Sequence, residues 1–132
     1  MNVTELLSKF EFNEPATEER IIAFEKGERM PLPACYRNFL KMGNGGEGSI
    51  GEFGYANFWR IEDISELNLG YKIQEYLPGY LVIGSDGGGE AFAIRHNDAY
   101  FVQVPFVGLS VEDCIFMGNT FEEFLTNLSK KQ

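Results

Sequence analysis

Several stretches of this sequence carry residue types that could do chemistry. Gly43-Asn44-Gly45-Gly46-Glu47-Gly48 matches the G-x-G-x-x-G string that cradles a dinucleotide pyrophosphate. That chemistry needs the string after a strand and before a helix, so that the phosphates meet a helix N-terminus. Here a helix precedes it and turns follow, which reverses the geometry. A helix cap leading into a left-handed loop, where glycine avoids a Cβ clash, is the better reading. Asp86-Gly87-Gly88-Gly89-Glu90 offers two carboxylates for a hard cation, but calcium loops recruit six or more oxygens from closely spaced donors. Three glycines supply no side chains, and the segment reads as a hairpin turn. His96, the single histidine, lies beside Asn97-Asp98 in a second turn. A general base needs a nucleophile and an orienting group within hydrogen-bond reach. The chain has no G-x-S-x-G elbow, P-loop or H-E-x-x-H to provide them. The adjacent pairs Glu62-Asp63 and Glu112-Asp113 cannot oppose each other across a pocket as glycoside hydrolysis requires, so they read as solvated surface. No catalytic residue, cofactor or metal is expected.

The elements that must position these residues follow from apolar spacing. A short helix is expected around Thr4–Lys9, then an extended entry through Phe10, Phe12 and Pro15. Thr17-Glu18-Glu19-Arg20 starts a helix with acids in its first turn, where they favour the dipole. Ala16, Ile21, Ile22 and Phe24 form its apolar face, and Gly27 marks its stop. A second helix runs over Leu32–Met42, with Pro33 in its first turn and Gly43 as its cap. From Gly43 to Met117, short apolar runs between Gly, Asn and Asp are strand-and-turn grammar. Strands are expected at Phe58-Trp59-Arg60-Ile61, Leu81-Val82-Ile83, Ala91–Arg95, Tyr100–Val104 and Cys114–Met117. Between the first two of these, Ile64, Leu67 and Tyr71 mark a short helix whose Glu62, Asp63 and Glu66 face solvent. Thr120-Phe121-Glu122-Glu123 fits a capping box. It opens a final helix with a Phe121, Phe124, Leu125, Leu128 stripe and a fraying Ser129–Gln132 end. Helices at both ends of an antiparallel sheet read as α+β.

Composition narrows the function classes. At 132 residues the chain is expected to form a single domain over 1–132. Its 44% hydrophobic and 14% aromatic content excludes a disordered adaptor. The net charge of −9 argues against direct nucleic-acid binding, which needs clustered Lys and Arg. It fits solubility and attraction to a basic partner. The N-terminus shows no signal peptide, and no apolar run reaches the roughly 18 residues that cross a bilayer. The protein is expected to be cytoplasmic, without membrane contact. Cys35 and Cys114 lack metal or redox spacing and read as buried free thiols.

Charge is not spread evenly. Between Glu47 and Glu90 eight acids face two bases, Arg60 and Lys72, which accounts for six of the nine net negative charges. The same stretch holds Phe53, Tyr55, Phe58, Trp59, Tyr71, Tyr76 and Tyr80. Acids interleaved with aromatics suit a surface that steers and then grips a basic protein; the plainer alternative is a core of aromatics beneath a solubilising surface. The candidate partner-facing residues are Glu52, Tyr55, Glu62, Asp63, Glu66, Tyr71, Glu75 and Asp86. Exposed aromatics could equally serve a homodimer.

One resemblance spans about Ala16 to Leu128. Leu32-Pro33-x-x-Tyr36-x-x-Phe39-Leu40, Asn44-Gly45-Gly46, Trp59 and Leu77-Pro78-Gly79 occur in that order. Ile83-Gly84-Ser85-Asp86-Gly87-Gly88-Gly89-Glu90 and Phe121-x-x-Phe124-Leu125 complete the set. This resembles the SUKH superfamily, named after a yeast cell-wall synthesis regulator. The resemblance implies N-terminal helices, a twisted and mainly antiparallel central sheet and a C-terminal helix. It implies that Tyr36 and Trp59 are core and the glycines turns. Bacterial members are mostly thought to be immunity proteins that bind and neutralise toxins, often nucleases, whereas the fungal relatives are larger regulatory scaffolds. This short chain looks like the bacterial type. The resemblance carries over no catalytic residues and does not identify the toxin-facing ones. The expected function is therefore a non-enzymatic domain that binds a cognate, basic protein toxin. The alternatives are a regulatory or scaffold module with a non-toxin partner, and a small-ligand binder using the glycine loops.

Overall fold

A computed structural model describes residues 2–130. In chain order the elements are α1 (Val3–Leu6), β1 (Phe10–Phe12), α2 (Glu18–Glu28), α3 (Ala34–Met42), β2 (Gly46–Ile50) and β3 (Gly54–Phe58). Then come α4 (Ile61–Gly70), α5 (Ile73–Tyr76), β4 (Tyr80–Ser85), β5 (Glu90–Arg95) and β6 (Phe101–Pro105). A 3₁₀ turn (Val111–Asp113), β7 (Ile115–Gly118) and α6 (Phe121–Ser129) close the chain. All seven strands join one sheet in sequence order, each neighbouring pair antiparallel. The fold is α+β, with helices at both ends, as the spacing indicates.

Strand alternation divides the apolar residues between the two faces. Leu81 and Ile83 of β4, Phe92 and Ile94 of β5, and Phe101 of β6 enter one cluster. There they meet Leu6, Ile21, Phe24, Tyr36, Phe39, Leu40 and the Phe121, Phe124, Leu125, Leu128 stripe. Tyr80, Val82, Ala91, Ala93, Val102 and Val104 enter a second cluster on the other face, covered by Ile73, Leu77 and the chain around Phe106 and Leu109. That cover stops at β4. The same face of β1–β3 carries Glu11, Glu47, Ser49, Tyr55 and Asn57, none of them in either cluster.

Several element boundaries depart from expectation. The strand expected over Phe58–Ile61 stops at Phe58; Arg60 becomes an N-cap and Ile61 opens α4. Helix α2 runs through Gly27 and ends with Arg29 in the left-handed region (φ 55°). Bonds from Met30 N to Glu25 O and from Arg29 N to Lys26 O close it as a Schellman motif. Ile22, expected in the apolar face, is exposed. Gly43 ends α3 in extended backbone rather than a left-handed cap. Its glycine is required by crowding, since a Cβ would lie 2.5 Å from the Phe12 ring. The left-handed residue is Gly45 (φ 76°), where a Cβ would fall 2.3 Å from the Phe58 carbonyl oxygen.

At α6, Thr120 accepts from Glu123 N as expected, but the Glu123 carboxylate turns back to Asn119 N at 2.7 Å. A full capping box occurs instead at α1, between Asn2 and Glu5. Ser129 closes α6, and residues 131 and 132 of the expected fraying end lie outside the described residues. Cys35 and Cys114 are half-buried free thiols, each packed against a different cluster. Trp59 is half-buried and packs against both clusters, rather than lying wholly in the core.

Two buried polar side chains hold α4 in place. Strand β3 pairs with β4 only at Asn57–Ser85 and Phe58–Gly84, with a last bond from Trp59 N to Ile83 O. Val82 therefore has no β3 residue to bond. Asn68 of α4 takes the missing strand's place: its Nδ2 donates to Val82 O at 2.8 Å, and its Oδ1 accepts from Val82 N at 2.8 Å. At the other end of α4, Asn44 Oδ1 accepts from Ile61 N at 2.9 Å. It supplies from 17 residues away the cap that Arg60 does not. Both asparagines are buried.

Tyr36 is the opposite case. Its ring packs among Phe39, Phe58, Phe101 and Phe121, and its hydroxyl has no hydrogen-bond partner among the described residues. Two stability changes follow. Asn68→Leu strands both polar groups of Val82, at roughly 1–3 kcal/mol each, and is expected to lower the unfolding free energy by about 2–4 kcal/mol. Tyr36→Phe removes an unsatisfied buried hydroxyl and is expected to raise it by about 1 kcal/mol. Urea denaturation of the three proteins measures both; an unchanged Asn68→Leu midpoint or a destabilised Tyr36→Phe contradicts this assignment of polar partners.

Candidate functional site

The chemistry available on the surface is concentrated on and around α4. The helix is fixed at its start by Asn44 and near its end by Asn68. Tyr71 follows as its C-cap. The Tyr71 ring stacks on Trp59 with centroids 6.3 Å apart and planes 7° apart, and lies 5.0 Å from the Phe106 ring. Trp59, Tyr71 and Phe106 thus make a short aromatic ladder whose middle rung is exposed. Each ring belongs to a different part of the chain, and Trp59 and Phe106 pack against the second cluster on either side of Tyr71.

An open groove of about 640 Å³ runs beside this ladder, lined by Asp63, Glu66, Leu67, Gly70 and Tyr71. Helical spacing brings 63, 66, 67 and 70 to one side of α4. The lining joins apolar Leu67 and the Tyr71 ring to two carboxylates. Asp63 Oδ2 accepts from Arg60 Nε at 3.1 Å. Glu66 has no ion-pair partner among the described residues.

Tyr55 and Asn57 of β3 lie on the sheet face opposite the helical layer, on the strand that leads to Trp59. The Tyr55 hydroxyl donates to Glu47 Oε2 at 2.7 Å. Gly87 approaches the Tyr55 ring so closely that a Cβ would come within 3.1 Å of it. That contact brings the β4–β5 turn alongside Tyr55. In the turn, Asp86 Oδ1 accepts from Gly88 N at 2.8 Å and Glu90 N at 3.2 Å. Its carboxylate therefore organises the hairpin. On the covered part of this face, burial pushes the Tyr80 hydroxyl up to about 12, helped by its bond to Tyr100.

The eight sequence candidates therefore separate. Asp63, Glu66 and Tyr71 converge on the groove, while Tyr55 lies on the bare part of the sheet and Asp86 in the turn whose Gly87 approaches it. Glu62 is exposed, as expected, but already partnered: it accepts from Asn44 Nδ2 at 2.6 Å and pairs with Arg20. Glu75 lies in another groove, with Glu28, Ser65, Leu69 and Lys72. Glu52 sits at the β2–β3 turn, where Phe53 N bonds to Ser129 O at the end of α6.

Sequence reasoning missed Glu47, Phe106, Leu67 and Gly70. Alternation along Gly46–Ile50 could have placed Glu47 opposite the core; nothing local joins Phe106 to Tyr71. His96 is exposed in the β5–β6 turn and lines a smaller cleft with Gly27, Glu28 and Gln74. No group of three or more His, Cys, Asp or Glu among the described residues is arranged to hold a metal ion. No described helix is long and apolar enough to cross a membrane.

Comparison with known families places residues 15–127 within the model of the SMI1 / KNR4 family (SUKH-1). No curated protein matches the chain.

The Tyr55–Glu47 bond has a measurable signature. The Glu47 carboxylate holds the neutral phenol and raises its ionisation above the ordinary tyrosine range, with lesser pushes from desolvation and from Glu11. A raised tyrosine contributes stability below its ordinary range and loses it as pH rises through the shifted value. In an NMR titration of ring-labelled tyrosine, Glu47→Gln is expected to lower the Tyr55 midpoint. An unmoved midpoint contradicts the bond.

Proposed function

The chain belongs to the SMI1 / KNR4 family (SUKH-1), and from that premise we propose that it is a non-enzymatic, cytoplasmic immunity protein that binds and neutralises a basic protein toxin. The observation that carries this reading is the pairing of the exposed Tyr71 ring, backed by Trp59 and Phe106, with the Asp63 and Glu66 carboxylates on one side of α4, Glu66 having no ion-pair partner among the described residues. Aromatic anchors supply contact area at low entropic cost, and charge steers a complementary partner into place. The protein's cations favour the same division. Arg20, Arg37, Lys41, Arg60 and Arg95 are engaged in ion pairs with the chain's own acids, and with 20 acids against 11 bases the remaining charge is predominantly negative. A nuclease toxin grips a polyanion with Lys and Arg, and an acidic surface competes for those groups.

A second reading has its own observation. Edge strand β7 exposes Ile115 and Phe116, with Val107 and Val111 exposed in the chain leading to it. An unprotected apolar edge suits pairing with another chain, either a second copy or a non-toxin regulatory partner.

Tagged protein used as bait under low-salt and high-salt washes separates the two. The immunity reading expects a stoichiometric basic toxin, retained best at low salt. Once that toxin is in hand, Asp63→Lys with Glu66→Lys is expected to slow association by roughly tenfold or more and to flatten its salt dependence. Glu62→Gln is expected to leave the association rate close to that of the unaltered protein. Charge-reversed protein that associates at the original rate overturns the assignment of this face.

A further inference from the structure

On the reading that this face receives a basic protein, we infer that the groove beside α4 is the seat of one arginine side chain of that partner. The groove is open and larger than one side chain; it is the chemistry of its lining that matches that group. Leu67 and Tyr71 give an apolar lining for an aliphatic stem, and Asp63 and Glu66, one helical turn apart, meet its charged end. Tyr71 is held from within by Trp59 and Phe106, so the wall is set before a partner arrives. Arg60 already bonds Asp63 through its Nε, and that contact leaves the Glu66 carboxylate and the second Asp63 oxygen to a visitor.

Gly70 is the most telling residue. Glycine is a poor helix former, and α4 ends on it without needing it. Its backbone is outside the positive-φ region, and a Cβ there would meet nothing within 4 Å. Neither conformation nor crowding inside the fold requires a bare backbone at this position. What its absent side chain leaves is open space where Gly70 lines the groove.

Other occupants fit less well. An anion meets two carboxylates. A divalent cation needs more oxygen donors than this lining offers. A lysine ammonium is a strongly hydrated point charge, whereas a planar guanidinium bridges two carboxylates and lies against an aromatic side chain at less desolvation cost.

The test titrates the intact ¹⁵N-labelled protein with N-acetyl-arginine methylamide, and in parallel with the lysine and citrulline counterparts. Saturable amide shifts confined to residues 60–71 are expected for arginine, weaker ones for lysine and none for uncharged citrulline. Gly70→Leu fills the groove and is expected to abolish the shifts while the rest of the spectrum stays in place; Glu66→Gln is expected to weaken them. Shifts scattered over acids elsewhere, or persisting in Gly70→Leu, overturn the proposal. A basic toxin that binds Gly70→Leu unchanged overturns this anchor but leaves the protein-binding reading standing. Arginine binding in a protein that engages no toxin does the reverse.

Discussion

The side-chain amide of Asn68 stands in for a missing stretch of β-strand, and the rest of the functional surface depends on it. Strand β3 leaves the sheet after Phe58, which strips Val82 of a neighbour on that side. A buried peptide group without partners is costly, so the chain can turn away at Trp59 only because α4 brings back an amide that donates and accepts at once. Asn44 does the matching task at the first turn of the helix. With both ends pinned, α4 has one position against the sheet, and Trp59, Tyr71 and Phe106 fall into register with it.

This arrangement also decides which charges are available. Glu18, Glu25, Arg37 and Lys41 tie α2 to α3. Glu18 is held below the ordinary carboxylate range, chiefly by its bond to Lys41 and with help from Arg37, against the opposing effect of desolvation. Arg20 and Glu62 tie α2 to α4. Surface pairs of this kind add little stability individually, but they spend most of the chain's arginines internally. The net charge of −9 is then expressed by acids with no cation beside them. Glu66 in the groove and Glu47 beside Tyr55 are two that adjoin exposed aromatic rings.

The fold class was legible because period and punctuation agree along most of the chain. The Phe121, Phe124, Leu125, Leu128 stripe, the Leu81–Ile83 and Ala91–Arg95 strands and the Asp86–Glu90 turn are all local patterns, and each forms where its pattern lies. The errors share one physical origin. Phe58-Trp59-Arg60-Ile61 has strand composition, but its ending is imposed by Asn44 from 17 residues away. Gly43 looks like a left-handed cap, and its true reason is the Phe12 ring. Glu62 looks like its neighbours Asp63 and Glu66 until Arg20 and Asn44 are brought to it. Asp63, Glu66 and Tyr71 were recoverable because helical spacing joins them; Phe106 was not, because it reaches Tyr71 from a segment 35 residues later in the sequence.

Hydrogen–deuterium exchange of the protein alone and in complex with its captured basic partner tests most directly whether the α4 face is the one that binds. Protection is expected in α4 and through Tyr71, and on β3 around Tyr55, with β7 unchanged. Protection confined to β7 and the residues before it, with α4 exchanging as in the free protein, contradicts the account.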